Sequence, residues 1–380
     1  MSTATISAHP FRVSSFRTCG AVRRIAVVAL VLVGARPYPL PAQAATFHAA
    51  APGSWRVQSA ASSDLWFHAM AVIGYEGPGP LPMYDREYTR QVLDAKRRSG
   101  VYPTLLDRKA TALRNAFYRD SAFEVLHFLP LYFLALDADA FLDAVRAITR
   151  QDSRALNALD PTTRNAVTAL GSVLTTRRER DVLGDFLDAL QEERRVFYDD
   201  YERESSRSRG QQITRAEQYW NASLAPALAH YLARSHFRNG LILVSPALGA
   251  EGRFVNPRRA EERGAVIAVG LPASALTEYT FALSAVRELC FPLVHEVIER
   301  DAGRPENRVA AERLSSVAAV RCGALAVERY SPELSTAYQS QFLRAVGSPS
   351  SGVNIDAAFT RAFFLPPAIE ASLRRAVASP

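Results

Sequence analysis

The side chains best suited to chemistry in this 380-residue chain lie close together between Tyr279 and Gly303, in the stretch YTFALSAVRELCFPLVHEVIERDAG. Arg287, Glu288, Cys290, His295, Glu296 and Glu299 recur there at helical spacing, so one long helix over the whole stretch would hold them at fixed distances. Carboxylates such as Glu288 and Glu296 are the groups that move protons to and from a reacting atom. An imidazole and a carboxylate one turn apart, as in His295 and Glu299, are a pair that a metal ion can share. Nothing else in the chain gathers such groups: there is no phosphate-binding glycine loop, no paired CxxC and no serine-elbow motif.

The elements that must position this stretch divide the chain in two. From Asp85 onward, apolar residues recur at i, i+3, i+4 over 85–99, 104–119, 121–136, 138–150, 162–175, 178–205 and 211–236, which predicts a helical bundle. Ahead of it, Ser62-Ser63-Asp64 reads as a helix cap, and EGPGPLPMYD as a loop that its glycines and prolines keep irregular. Ser121-Ala-Phe-Glu124 reads as a capping box opening a helix that Pro130 kinks, and His68 as a core histidine whose nitrogens are satisfied. The charged 178–205 helix should lie across the bundle surface on one apolar stripe. At Asn239-Gly240 the pattern changes to two short strands, GLILVSPAL and GAVIAVGLP, with a polar loop between them. The fold class is therefore mostly α, a helical domain over 62–237 followed by a small α+β module over 238–380, short strands and then two packed helices.

The first 44 residues read as an export signal. Arg12, Arg17, Arg23 and Arg24 precede an apolar run from Ile25 to Gly34, and Ala42-Gln43-Ala44 offers a small-residue cleavage site before Ala45. The run is about half the length that spans a bilayer, so no stable membrane anchor is expected. The protein is placed in the periplasm or outside the cell, with 45–61 as a flexible mature N-terminus. The formal charge of +7 comes almost wholly from arginines scattered among acidic residues, Lys96 and Lys109 being the only lysines, and this argues against a nucleic-acid footprint. Cys290 and Cys322 remain after cleavage, and an oxidising compartment would allow them to pair. For straight antiparallel helices their Cα atoms come out offset by about 10 Å along the axes, beyond the usual reach of a disulfide, so a bond needs the helices to cross or shift and two buried free thiols are the other reading.

Over residues 240–330, strand, loop, strand, helix, turn and a second helix bearing an acidic residue resemble the layout of zincin metallopeptidases of the Glu-zincin type. In that family two histidines at i and i+4 hold zinc, the glutamate beside the first activates water, and a glutamate on the next helix completes the metal shell. An intact His-Glu-x-x-His is absent here. In one register Arg287-Glu288-Leu289-Cys290-Phe291 takes the motif's place, with Glu288 at the base position and Arg287 and Phe291 where the histidines belong. In the other His295-Glu296-Val297-Ile298-Glu299 takes it, with Glu296 as base and Glu299 replacing the second histidine. Glu312 is the acidic residue on the following helix in both. At about 100° per residue, Arg287 falls within the apolar arc of Leu283, Val286, Cys290, Leu293, Val294 and Val297, while Glu288, His295 and Glu299 project away from it. A buried guanidinium needs a partner, and Glu312, on a strip with small Ser316, Ala319 and Gly323, is the expected one.

The resemblance thus implies a degenerate zincin that keeps the scaffold, carries no cofactor, is not an active metallopeptidase, and binds a peptide or protein partner beside Arg287, Glu288 and Glu312. Two alternatives stand beside it: a zinc-dependent peptidase using His295, Glu296, Glu299 and Glu312, and a structural periplasmic or cell-surface protein without a chemical site.

Overall fold

The computed structural model describes residues 54–380 apart from 151–152, 236, 238, 256–263, 272–278, 302–307, 351–353 and 379–380, so the expected export signal and cleavage site lie outside the described residues. It is mostly helical, with one four-stranded sheet. Among the described residues no helix is long and apolar enough to cross a membrane.

The chain opens on a strand, β1 (Trp55–Gln58), within the stretch expected to be flexible. Four residues are too few to carry a readable alternation, yet Trp55 and Val57 are buried and β1 pairs in parallel with β2. Then come α1 (Ala61–Ile73), α2 (Arg86–Arg98) and α3 (Leu105–Arg119). Ala60, not the Ser62-Ser63-Asp64 trio, sits at the start of α1, and all three polar residues lie buried inside its first turn. The helix expected over 121–136 is replaced by two 3-10 segments, Ser121–His127 and Leu129–Tyr132. Pro130 has no N–H for the carbonyl of Leu126, and that carbonyl instead accepts from Trp66 Nε1 at 2.8 Å; Asp120, not Ser121, caps the first segment by accepting from the Ala122 N–H.

Next are α4 (Ala138–Arg150), α5 (Ser153–Ala158), α6 (Pro161–Gly171) and α7 (Arg177–Glu193). Thr176 and Glu179 form a reciprocal capping box at the start of α7. The chain then stays helical through a π-helical turn (Arg194–Tyr198), α8 (Asp199–Tyr219), a second π turn (Trp220–Leu224) and a last turn (Ala225–Ala227), one rod where two helices were expected. A short α9 (Ala229–Arg234) leads to β2 (Gly240–Ser245), β3 (Arg253–Val255) and β4 (Ala265–Gly270). Strand order is β1-β2-β4-β3, with β1, β2 and β4 parallel and β3 antiparallel on β4.

The sheet is not an appendage of the bundle; it is buried on both faces, which is why β2 and β4 read as unbroken apolar runs. Leu241, Leu243, Val266 and Ala268 join the core built by the front helices, α1 to α7. Ile242, Val244, Ile267 and Val269 join a second core with β1, the end of α8 and the helices that follow. Those are α10 (Tyr279–Leu289), α11 (Phe291–Asp301), α12 (Arg308–Tyr330), α13 (Ser335–Ala345), α14 (Ile355–Ala362) and α15 (Pro367–Ala378). The expected long helix from Tyr279 is broken at Cys290. Pro292 cannot donate to the carbonyl of Glu288, Cys290 N–H bonds back three residues to the Arg287 carbonyl at 3.1 Å, and the Val294 N–H reaches the Cys290 carbonyl at 2.9 Å to begin α11.

Candidate functional site

The break at Cys290 separates the two registers. Arg287 and Glu288 end α10 inside the protein, whereas His295, Glu296 and Glu299 lie on the outer side of α11. There His295 Nε2 stands 3.1 Å from Glu299 Oε1 and Glu296 stands 3.8 Å from Arg300, ion pairs of an exposed helix surface. Among the described residues no group of three or more His, Cys, Asp or Glu side chains is placed to hold a metal ion.

Every residue of α10 from Phe281 to Leu289 is buried, with β4 on one side and α12 on the other. Glu288, expected to project outward, is therefore fully enclosed together with Arg287. The Arg287 guanidinium pairs with Glu288 Oε1 through Nη1, donates through Nη2 to Ser316 Oγ at 2.8 Å, lies 3.9 Å from Glu251 Oε2, and covers the Phe291 ring at 5.0 Å. Its partners are thus Glu288, Glu251 and Ser316 in place of the expected Glu312, which is half-buried one turn earlier on α12. Glu288 Oε1 also accepts from the Gly252 N–H at 3.0 Å, just before β3. That approach requires glycine: a methyl group at position 252 would stand 2.4 Å from the Ala268 carbonyl and 2.9 Å from Glu288 Cγ.

Glu251 ties in a second arginine. Arg253 Nη1 donates to Glu251 Oε1 at 3.1 Å, and its guanidinium lies over Phe128 at 5.2 Å. The cluster holds two guanidinium and two carboxylate groups, so it is neutral as a whole. Burial works against the Arg287 charge, but Glu288 and Glu251 outweigh it and hold the guanidinium above its ordinary range. Burial raises Glu288, and Arg287 and Arg253 offset that only in part. Glu288 Oε2 and Arg287 Nε have no hydrogen-bond partner among the described residues.

The glycine- and proline-rich loop over 76–85 closes this cluster as a strap. Its end runs antiparallel to 247–251: the Gly249 N–H donates to Met83 O at 2.7 Å, the Glu251 N–H to Pro82 O at 3.0 Å and the Asp85 N–H to Ala247 O at 3.0 Å. Gly79 rests directly on Glu251 and Ser316, where an added methyl group would stand 2.3 Å from Glu251 Oε2 and 2.9 Å from Ser316 Oγ. The small-residue strip on α12 is used as its composition suggests: Ser316 meets Arg287, and Gly323 makes room for Tyr338, whose hydroxyl donates to Val320 O at 3.0 Å. Glu251 and Arg253 were missed in the sequence; the available signal was an acid and a base flanking Gly252 at the mouth of a strand.

A second buried ionic group lies in the front core. Lys96 Nζ reaches Glu193 Oε1 at 2.7 Å, Asp107 Oδ1 at 3.0 Å and Thr104 Oγ1 at 3.4 Å. His68, satisfied as expected, places Nε2 3.0 Å from Glu193 Oε1 and Nδ1 2.9 Å from the Tyr88 hydroxyl. Burial lowers the pKa of His68, so at neutral pH its Nε2–H donates to Glu193 and its Nδ1 accepts from Tyr88. Burial would raise Glu193, but the His68 hydrogen bond and the charges of His68 and Lys96 bring it down to about 2. Its contribution to stability is therefore present above 4.5, its ordinary value, and lost as pH falls through 2.

Asp64, one turn before His68 on α1, behaves in the opposite sense. Burial raises it from 3.8 to about 7, against the lesser pull of the Ser245 side chain and of Arg209, whose Nη1 stands 3.7 Å away. A raised carboxyl contributes fully below 3.8, and that contribution disappears as pH rises through 7. At about 1.4 kcal/mol per pH unit, wild-type protein should lose roughly 3 kcal/mol relative to Asp64→Asn between pH 5 and pH 8, read from urea unfolding at each pH. A difference between the two that stays constant with pH would show that Asp64 does not titrate in this range.

Comparison of the chain with protein families, with curated proteins and with solved structures finds no match in any of the three.

Proposed function

We propose that this chain is an exported, non-catalytic protein built on a zincin-like scaffold, and that it acts by binding a peptide or protein partner. The observation that carries this reading is the place of Arg287. In the RELCF register Arg287, near the end of α10, and Phe291, at the start of α11, hold the two histidine positions; the Arg287 guanidinium covers the Phe291 ring and bonds Ser316 on α12, one turn after Glu312, the third-ligand position of that register. A fixed organic cation then stands where a metal would, and the neighbouring carboxylate of Glu288, in the water-activating position, is engaged by Arg287 and by the Gly252 N–H. The order of an antiparallel edge strand, a parallel strand, a buried helix and a later helix that meets it at Ser316 supports the same scaffold. Arg287 and Glu288 serve as an internal brace, the strap over 76–85 covers Glu251 and Ser316 beside them, and Glu312 lies one turn before Ser316 on α12. The backbone at 247–251 already takes an extended segment of the chain itself, which is how a sheet edge takes a peptide.

Two measurements test this. Purified protein should contain no stoichiometric zinc and cleave no peptide, with His295→Ala changing neither result; stoichiometric zinc lost on His295→Ala would overturn the reading in favour of the peptidase that uses Glu296, Glu299 and Glu312. The triple variant Arg287→His, Phe291→His, Ser316→Glu should gain one zinc per chain, because it puts imidazoles at the two histidine positions and a carboxylate where the vacated guanidinium met Ser316. Failure of a folded triple variant to bind zinc would remove the zincin-like scaffold. Export predicts a mature N-terminus at Ala45, read by N-terminal sequencing.

A further inference from the structure

Cys290 and Cys322 are both fully buried in the rear core. The offset that separates them on straight antiparallel helices does not apply, because the chain leaves helical geometry at Cys290 itself, where Pro292 breaks α10 from α11. Tyr231 marks their meeting point. Its hydroxyl donates to the Leu289 carbonyl at 3.1 Å and lies 3.4 Å from Cys290 Sγ. Both cysteines are free thiols in this structure, and Cys322 interacts with Cys290 and with Tyr231. The two thiols are thus neighbours in one buried apolar core, at the break that follows the Arg287 and Glu288 helix.

We propose that in the exported protein Cys290 and Cys322 are joined by a disulfide that fastens the bend between α10 and α11 to the middle of α12. This rests on export to an oxidising compartment. The bond forms by exchange with an oxidised dithiol protein: one cysteine thiolate attacks the donor's disulfide, the second displaces the donor's sulfur, and the donor leaves as a dithiol with the two electrons and two protons lost by Cys290 and Cys322. Burial pushes the Cys322 thiol well above its ordinary range, which suppresses the reactive thiolate in the folded chain. Exchange therefore belongs to folding, before α12 closes over the bend, and the finished bond is sheltered from reductants in solution.

The full chain is exported into a bacterial periplasm, quenched in acid, alkylated in denaturant without reductant, and analysed by intact mass and peptide mapping. The expected result is a mature chain with Cys290 and Cys322 unalkylated and the mass short by two hydrogens, both becoming alkylated once reductant and denaturant are supplied together. In the folded protein reductant alone should leave the bond intact. Cys290→Ala and Cys322→Ala should each lower Tm by roughly 5–10 °C, and the double variant no further than the more damaging single one. A mature chain starting at Ala45 with both thiols alkylated overturns the proposal. If the leader is retained, export has failed and not the disulfide; the Cys19→Ser chain is then refolded with mixed oxidised and reduced glutathione, where closure of the bond supports the proposal and two free thiols overturn it.

Discussion

Replacing Lys96 by methionine should lower the free energy of unfolding by about 3–5 kcal/mol at pH 7, the usual cost of removing one partner from a buried ion pair. Lys96 is entirely buried, and its ammonium is the cation held between Glu193 and Asp107. Without it two carboxylates face each other across apolar surroundings, and Glu193 Oε2 already lacks a partner among the described residues. Arginine should not substitute. The ammonium is compact and sends its three donors toward Glu193, Asp107 and Thr104, whereas a planar guanidinium presents its donors in a fixed fork. This accounts for a lysine at this position in a chain that otherwise uses arginine for nearly every positive charge. Urea unfolding followed by circular dichroism would measure the loss for Lys96→Met and Lys96→Arg. Glu193→Gln added to Lys96→Met should return part of it, and a single-variant loss under about 1 kcal/mol, the range of an exposed pair, would rule out the network as a source of stability.

The second large effect is expected at Arg287. Arg287→Met should also lose about 3–5 kcal/mol, because Glu288 and Glu251 keep their charges inside the protein with Arg253 alone to offset them. Glu288→Gln in the same chain should restore a substantial part. The same chain carrying Glu312→Gln instead should restore none, since Arg287 contacts Glu288, Glu251 and Ser316. Rescue by Glu312→Gln and not by Glu288→Gln would show that the guanidinium is paired differently in solution. Both series are stability measurements and require no knowledge of the partner.

The sequence carried the helical class of the fold because periodic apolar residues in α2, α3, α4 and α7 have one side to bury and one to leave wet. It failed where that premise failed. Enclosure of α10 on every side removes the link between facing and exposure, so Glu288 was placed in solvent by an argument that suits surface helices. One local effect was legible in kind but not in extent, Pro130 dissolving a helix it was expected to kink; two others were not read at all, since Pro292 divided a helix it was not expected to touch and β1 is too short to signal itself. In the candidate site Arg287 and its burial were legible from spacing and type. Its partners were not, because Glu251 arrives from a polar loop and reaches α10 through sheet pairing, and no local pattern records that.

The helical rod from Arg177 to Ala227 has a mechanical consequence. At about 1.5 Å per residue it spans roughly 75 Å, and it is seated at both ends: Leu183, Phe186, Leu187 and Leu190 in the front core, Ala216, Trp220 and Leu224 in the rear. Between these seats, over 199–215, Arg209 is the one buried side chain among those described. Such a member behaves as a beam carried on two supports, with its midspan tied down mainly through the buried Arg209 beside Asp64 of α1. The two π turns act as phase adjusters, each spare residue rotating the downstream face by about 100°, so that the apolar stripe meets each support squarely. Opening of the backbone should begin at midspan, and any rocking of one core against the other must be absorbed there.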